Sequence, residues 1–268
     1  MSKKFNYHDL FKNIILAIFF LIMFSPIISL VFFSFNSGSS LTRFQGFSLR
    51  WYKEMFQNQQ MMDSLVVTLV IAIISTLVSV IIGTLGALAL DKFRNRSKNL
   101  VLAANNIPIV NPEIITAIAM FVLYGTFLIP FGYITLILAH IAFSTPYVII
   151  TVYPKISSLD PNIADAALDL GATPFQTIYK VILPQIRVSV AAAAAIAFTM
   201  SFDDFVISYF SAGSSGVQNI SIYLYTLKRG VNPQINALST FIVIIVLMKI
   251  FYDYFIGFRR KNNGKEYE

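Results

Sequence analysis

Residues 159–184 read LDPNIADAALDLGATPFQTIYKVILP, the one long, well-punctuated polar interruption between very apolar segments. Asp160 is a good helix N-cap, and Pro161 suits the first helical position, where a missing N–H costs nothing. A short helix is predicted to follow, with Ile163, Ala167 and Leu170 on one face and Asp165 and Asp169 together on another. Gly171 then sits where a helix ends in the left-handed conformation that only glycine adopts cheaply. Thr173 restarts the chain as a second N-cap, with Pro174 behind it and Gln176 placed to close a capping box. Phe175, Ile178, Tyr179 and Ile182 make the second helix amphipathic, and Pro184 is expected to stop it. The expectation is two short helices at a corner, carried on a loop outside the membrane.

On either side the composition is that of a membrane protein. Of 268 residues 56% are hydrophobic and 12% charged, whereas a soluble domain carries about 25% charged residues. With no cysteine the chain has no disulfide, thiolate metal site or cysteine nucleophile. A net charge of +7 would suggest nucleic acid in a soluble protein, but here its distribution reports topology.

Apolar runs long enough to span a bilayer fall near residues 14–35, 64–90, 100–129, 133–153, 188–210 and 235–256, so the expected fold is all-helical with about six membrane helices. The first run follows Lys3, Lys4 and Lys12 and is too long for a secretory signal, so it reads as a retained anchor. The third is overlong and interrupted by Pro108 and Pro112, which predicts a kink or a discontinuous helix. Placing the N-terminus inside puts fifteen Lys and Arg residues inside and five outside, the latter being Arg43, Arg50, Lys53, Lys228 and Arg229. That asymmetry satisfies the positive-inside rule and puts both termini and the 159–184 stretch in the cytoplasm.

No internal repeat or linker is evident, so a single membrane domain is expected over residues 1–268, with a cytoplasmic loop at 157–185 and external segments at 36–63 and 211–236. The first external segment carries Phe44, Phe47, Trp51, Tyr52 and Phe56 and suits an interfacial aromatic helix or lip. There is no phosphate-binding GxxxxGK[ST] loop, no HExxH pair and no GxSxG elbow, so the chain is not expected to be an enzyme or to hold a cofactor or metal of its own.

The chemistry on offer is a set of ionisable groups inside spans. A carboxylate at mid-bilayer costs roughly 2.5–3.5 kcal/mol on insertion scales, so it usually faces a cavity and has a partner. Glu113 follows the Asn111–Pro112 break, and Asp203 and Asp204 lie in SFDDFVIS of the fifth run. At 1.5 Å per residue, Asp203 is about 24 Å from Arg187, Glu113 about 22 Å from Lys98 and His140 about 22 Å from Lys155. The three positions therefore share one layer. Adjacent aspartates on a helix point about 100° apart, so one of Asp203 and Asp204 is expected to face a path and the other to cap a helix or meet a neighbouring subunit. His140 on an apolar helix reads as a hydrogen-bonded packing residue.

Two resemblances bear on function. Asp165-Ala166-Ala167, three residues, Gly171, nine residues and Val181-Ile182-Leu183-Pro184 resemble the EAA loop of ABC importer permeases, which reads Glu-Ala-Ala, three residues, Gly, nine residues, Ile, one residue, Leu-Pro. The chain departs from it in Asp165 for Glu and Val181 for Ile. The resemblance implies that Asp165, Ala166, Ala167, Gly171, Leu183 and Pro184 belong to a coupling loop that docks into an ATP-binding subunit. Over nearly the whole chain, SFNSGSSLTRFQGFSLRWY at 34–52, NNIPIVNPEII at 105–115, SFDDFVIS at 201–208 and GVNPQINALSTF at 230–241 resemble PotC-type permeases of spermidine/putrescine importers.

That likeness implies a multi-pass bacterial plasma-membrane subunit working with a second homologous permease, two ATP-binding subunits that hold the ATP and magnesium, and a separate extracytoplasmic polyamine-binding protein. Glu113, Asp203 and Asp204 become the expected substrate path, with Trp51 and Tyr52 at its lip, because carboxylates and aromatic faces suit a flexible polycation. A permease for another small solute, an ATP-independent channel and a membrane scaffold are the alternatives.

Overall fold

The computed structural model describes residues 7–40, 42–227 and 233–263, and every named element among them is helical. Lys3, Lys4, Lys228, Arg229 and Lys265 of the charge count lie outside the described residues. Among the described residues five helices are long and apolar enough to cross a membrane, namely Phe11–Ser34, Gln59–Asp91, Tyr133–Ser157, Pro174–Asp203 and Pro233–Tyr252. A broken pair, Asn95–Val110 and Glu113–Thr126, bent by 102°, makes up to six if counted as one span. The chain divides into two compact units, residues 1–62 with 228–268, and residues 63–227.

The first unit contains α1 (Tyr7–Ser34), α2 (Arg50–Gln57) and α12 (Pro233–Asn263), with α12 packing on both α1 and α2. Between α1 and α2 the chain folds around Asn36. Its Oδ1 accepts from Gln45 N at 2.7 Å, and its Nδ2 donates to Ser40 O at 2.8 Å and Arg43 O at 3.0 Å. The Trp51 indole N–H donates to Asn36 O at 2.7 Å, and the Tyr52 hydroxyl pairs with Ser34 Oγ at 2.8 Å. Trp51 is only 6% exposed. Its ring and its one polar atom are committed to this turn, so the structure corrects the expectation of an aromatic lip here: Trp51 and Tyr52 anchor α2 to the end of α1. Arg50 pairs with Glu54 on the same helix, and this hydrogen bond holds the Glu54 carboxyl below its ordinary pKa.

The second unit is organised by α6 (Tyr133–Ser157), ten of whose residues are buried. Val148, Val152 and Ile156 pack with Ala87 of α3 (Gln59–Asp91) and with Ile186, Ala193 and Ala197 of α9 (Leu183–Asp203). At Gly83 α3 approaches α6 tightly, and a Cβ there would stand 2.6 Å from Val148 Cβ. Higher on α6, Ala139 and Phe143 pack with Ala117 and Tyr124 of α5 (Glu113–Thr126) and Ile207 of α10 (Val206–Ala212).

Both membrane breaks have local causes. Pro108 is carried inside α4 (Asn95–Val110), so it does not interrupt the helix as expected. The break comes at Asn111, whose ψ of 142° is the extended conformation that the ring of a following proline enforces. The fifth span differs more from expectation, because α9 ends at Asp203 and Asp204 is extended, with φ −62° and ψ 131°. Asp203 and Asp204 are therefore at a break between two helices, and not on a continuous helix.

In the 159–184 stretch, Asp160 caps a turn, accepting from Asn162 N at 2.9 Å, and α7 starts only at Ile163, ending at Asp169. Gly171 adopts φ +85°, with Gly171 N donating to Leu168 O and Ala172 N to Ala167 O, as a glycine-terminated helix requires. The capping box forms as expected: Gln176 N donates to Thr173 Oγ1 and Thr173 N to Gln176 Oε1.

The expectation that Pro184 ends this helix is overturned. The chain runs from α8 (Pro174–Gln176) through a π-helical segment, Thr177–Ile182, directly into α9. In the π register Leu183 N donates to Ile178 O, and the Gln185 side chain donates to Val181 O at 2.9 Å. This shift of register lets the helix accommodate a residue without an N–H, and Pro184 becomes a first-turn residue of α9.

Candidate functional site

The break in the fifth span builds the site. With the helix stopped at Asp203, the next helix begins with unpaired N–H groups, and Asp204 turns its carboxylate onto them. Oδ2 accepts from Ser208 N at 2.7 Å and Oδ1 from Ile207 N at 3.3 Å. The sequence carried this signal: aspartate is unfavourable within a helix and favoured before one. The carbonyls freed at the end of α9 also find donors, with Asn219 Nδ2 reaching Asp204 O at 3.1 Å and Ser221 Oγ reaching Asp203 O at 3.3 Å. Both donors lie at the start of α11 (Ile220–Thr226), whose first N–H donates to Thr68 Oγ1 on α3.

Behind the break runs a buried polar chain across four helices. Ser75 on α3 pairs with Ser201 on α9 at 3.0 Å, and Ser201 pairs with His140 Nδ1 on α6 at 2.8 Å. His140 Nε2 then pairs with Ser208 on α10 at 3.0 Å, and Ser208 accepts from Asn219 at 2.7 Å. His140 is completely buried with both ring nitrogens engaged, which fits its reading as a hydrogen-bonded packing residue. The full circuit was not legible, because its members are scattered from Ser75 to Asn219 and no spacing links them.

In front of the break lies a cavity of about 360 Å³ lined by Glu113, Asp203, Asp204, Phe143, Met200 and Phe205, together with Val206. Glu113 is the first residue of α5 and lines this cavity together with Asp204. Asp203 is exposed to the cavity side, whereas Asp204 is buried. Glu113 and Asp203, expected with His140 to share a layer, are thus brought to one cavity with Asp204 by two helix breaks. None of the described residues lining the cavity is basic. Clustered carboxylates repel unless a cation or a proton lies among them, so the arrangement suits a positively charged guest.

A second feature belongs to the 159–184 stretch. Ala167 is buried, while Asp165, Ala166, Gly171 and Pro184 are exposed and Leu183 is half-buried. Leu170 was expected on one helix face with Ile163 and Ala167. It falls instead one residue beyond α7 and is 89% exposed, because the helix ends at Asp169. Phe175 is 76% exposed and stacks in parallel on Tyr179, at 6.4 Å between ring centroids. Three large apolar side chains, Leu170, Phe175 and Tyr179, are thus exposed on an otherwise polar turn.

Comparison with known proteins gives a consistent picture. Residues 79–261 match the family described as binding-protein-dependent transport system inner membrane component. The chain is 34% identical to the spermidine/putrescine transport system permease protein PotC of Escherichia coli (strain K12), over 90% of this chain and 91% of that one. It is also 34% identical to the putrescine transport system permease protein PotI of the same strain, over 87% and 85% of the two chains. In fold it resembles a chain of a bacterial ABC transporter involved in the import of the acidic polysaccharide alginate, with a TM-score of 0.73 and 16% identity, covering 95% of this chain and all of that one. A second structure of a bacterial alginate ABC transporter, in complex with alginate pentasaccharide-bound periplasmic protein, matches with a TM-score of 0.63 and 18% identity over 90% and 91% of the chains.

Proposed function

Since this chain belongs to the family of binding-protein-dependent transport system inner membrane components, and is a multi-pass permease of a bacterial ABC importer, we propose that it carries polyamines across the inner membrane. The observation that carries the substrate class is the cavity where Glu113, Asp203 and Asp204 meet with no basic residue among its described lining. A flexible polycation supplies separated positive charges to separated carboxylates, and Phe143 and Phe205 offer aromatic faces beside them. The names of the relatives point the same way, since those proteins are spermidine/putrescine and putrescine permeases.

In this reading the 159–184 turn faces the cytoplasm and docks onto an ATP-binding subunit, with Leu170, Phe175 and Tyr179 as its apolar contacts. Two such subunits bind ATP and magnesium, a second homologous permease completes the membrane part, and an extracytoplasmic binding protein delivers the substrate. ATP-driven closure moves the turn, and because the helix runs unbroken from Pro174 to Asp203, movement at its base reaches Asp203 at its top. Alternating access at the acidic cavity follows from that single lever.

The test is to purify the complex with its co-expressed partners and measure ATPase activity in liposomes. Polyamine-loaded binding protein is expected to stimulate hydrolysis and uptake. Uptake at the same rate without ATP would favour a channel, and stimulation by an uncharged solute in place of polyamine would reassign the substrate.

A further inference from the structure

The acidic cavity is not isolated on its aromatic side. Phe205, one of its lining residues, belongs to a continuous series of rings. Phe205 lies 5.6 Å from Tyr209 between centroids, Tyr209 lies 5.8 Å from Phe210, Phe210 lies 6.1 Å from Phe121, and Phe121 stacks on Phe131 at 5.1 Å. The far end opens into a second cavity of about 400 Å³, lined by Phe121, Phe131, Tyr209, Phe210, Gly213 and Ser214. Gly213 adopts φ +54° and has the Phe131 ring against it, so that a Cβ there would stand 2.7 Å from the ring. The glycine therefore fixes the wall of this cavity by close approach.

Phe121 lies eight residues after Glu113 on α5, which places the aromatic cavity about 12 Å along the helix from the carboxylates. The cavity has no carboxylate of its own among its described lining residues. What it presents is the negative face of aromatic rings, which attracts an alkylammonium group and packs against the methylenes on either side of it. We infer that this aromatic cavity is a second subsite for the organic cation, holding one ammonium group of an extended polyamine while another engages Glu113 and Asp203. The inference rests on the polyamine reading above and assigns it a second contact point. The ring series between the two cavities then lets a cation pass from one to the other without meeting a purely aliphatic wall.

The test uses the assembled importer with its binding protein and ATP-binding subunits in liposomes. Phenylalanine analogues with increasing fluorination are placed at position 121, because fluorine drains the ring face of negative charge with little change in size. The half-saturating concentration for a triamine is expected to rise stepwise with each fluorine, and Phe121→Leu and Tyr209→Leu are each expected to raise it about three- to tenfold. A flat response to fluorination overturns the subsite. So does a response that follows the acyl composition of the liposomes and not the fluorine count, which would make the cavity a lipid contact. Absence of polyamine uptake by the wild-type importer would instead defeat the parent reading, and this subsite with it.

Discussion

His140 Nε2 lies 3.6 Å from Asp204 Oδ2, and both side chains are closed to solvent. The histidine holds Ser208 and Ser201 while the aspartate caps the helix that carries Ser208, so the two residues brace the break from opposite sides. Replacing His140 with Leu removes one hydrogen bond from each of two buried hydroxyls, which keep Ser75 and Asn219 as partners, at about 0.5–1.5 kcal/mol each. The purified complex with His140→Leu is expected to melt several degrees lower than wild type, and His140→Gln, which retains one hydrogen bond, to fall between them. Equal melting temperatures would mean that the polar chain contributes nothing to the fold.

The adjacent aspartates should separate in their effects. Asp204 is a buried cap, so Asp204→Ala is expected to cost about 0.5–2 kcal/mol of stability, to be read from thermal unfolding, because the capping oxygens are lost. Asp203 makes no cap and faces the cavity, so Asp203→Asn is expected to leave unfolding unchanged and lower polyamine uptake. Glu113→Gln should lower uptake in the same way. If Asp203→Asn and Glu113→Gln both import at the wild-type rate, the acidic cavity is not the substrate path.

Gly171 sits at φ +85° with nothing within 4 Å of where a Cβ would be. Any penalty for substitution is therefore conformational and not steric. Gly171→Val is expected to abolish uptake and co-purification of the ATP-binding subunits while the chain still inserts, and Gly171→Asn to retain part of both, since asparagine tolerates this region. Equal loss with Asn and Val would argue against a backbone origin.

Gly83 presents the opposite case. A Cβ there meets the rigid Cβ and Cγ1 of Val148 at 2.6 Å, so Gly83→Ala is expected to destabilise the complex by about 1–3 kcal/mol. Val148→Ala removes Cγ1, one of the two colliding atoms, and the double variant is expected to be more stable than the sum of the two single effects predicts. Additivity in that double-mutant cycle would place the two helices farther apart than they are here.

The orientation rests on the asymmetry of Lys and Arg, fifteen against five. In intact cells of a cysteine-free chain, Ser158→Cys is expected to resist a membrane-impermeant thiol reagent and Ser214→Cys to react. The reverse pattern would put the 159–184 turn outside, where no ATPase could reach it.

The sequence by itself determined the helical class, the membrane runs and the shape of the 159–184 turn, because each depends on neighbours along the chain. Hydropathy over some twenty residues, the ring of Pro112 acting on Asn111, and Thr173 closing on Gln176 are all short-range effects. Even the end of α9 had a local signal in Asp204, which was outweighed by the apolar residues around it. The tertiary structure alone decided that Glu113, Asp203 and Asp204 share a cavity, that Trp51 is an anchor and not a lip, and that the rings from Phe131 to Phe205 form one series. It also decided that Pro184 lies within a helix, through a π register that the side chain of Gln185 helps to close. The physical reason is common to all of these. Burial and contact depend on which segment lies beside which, across separations that no local pattern encodes.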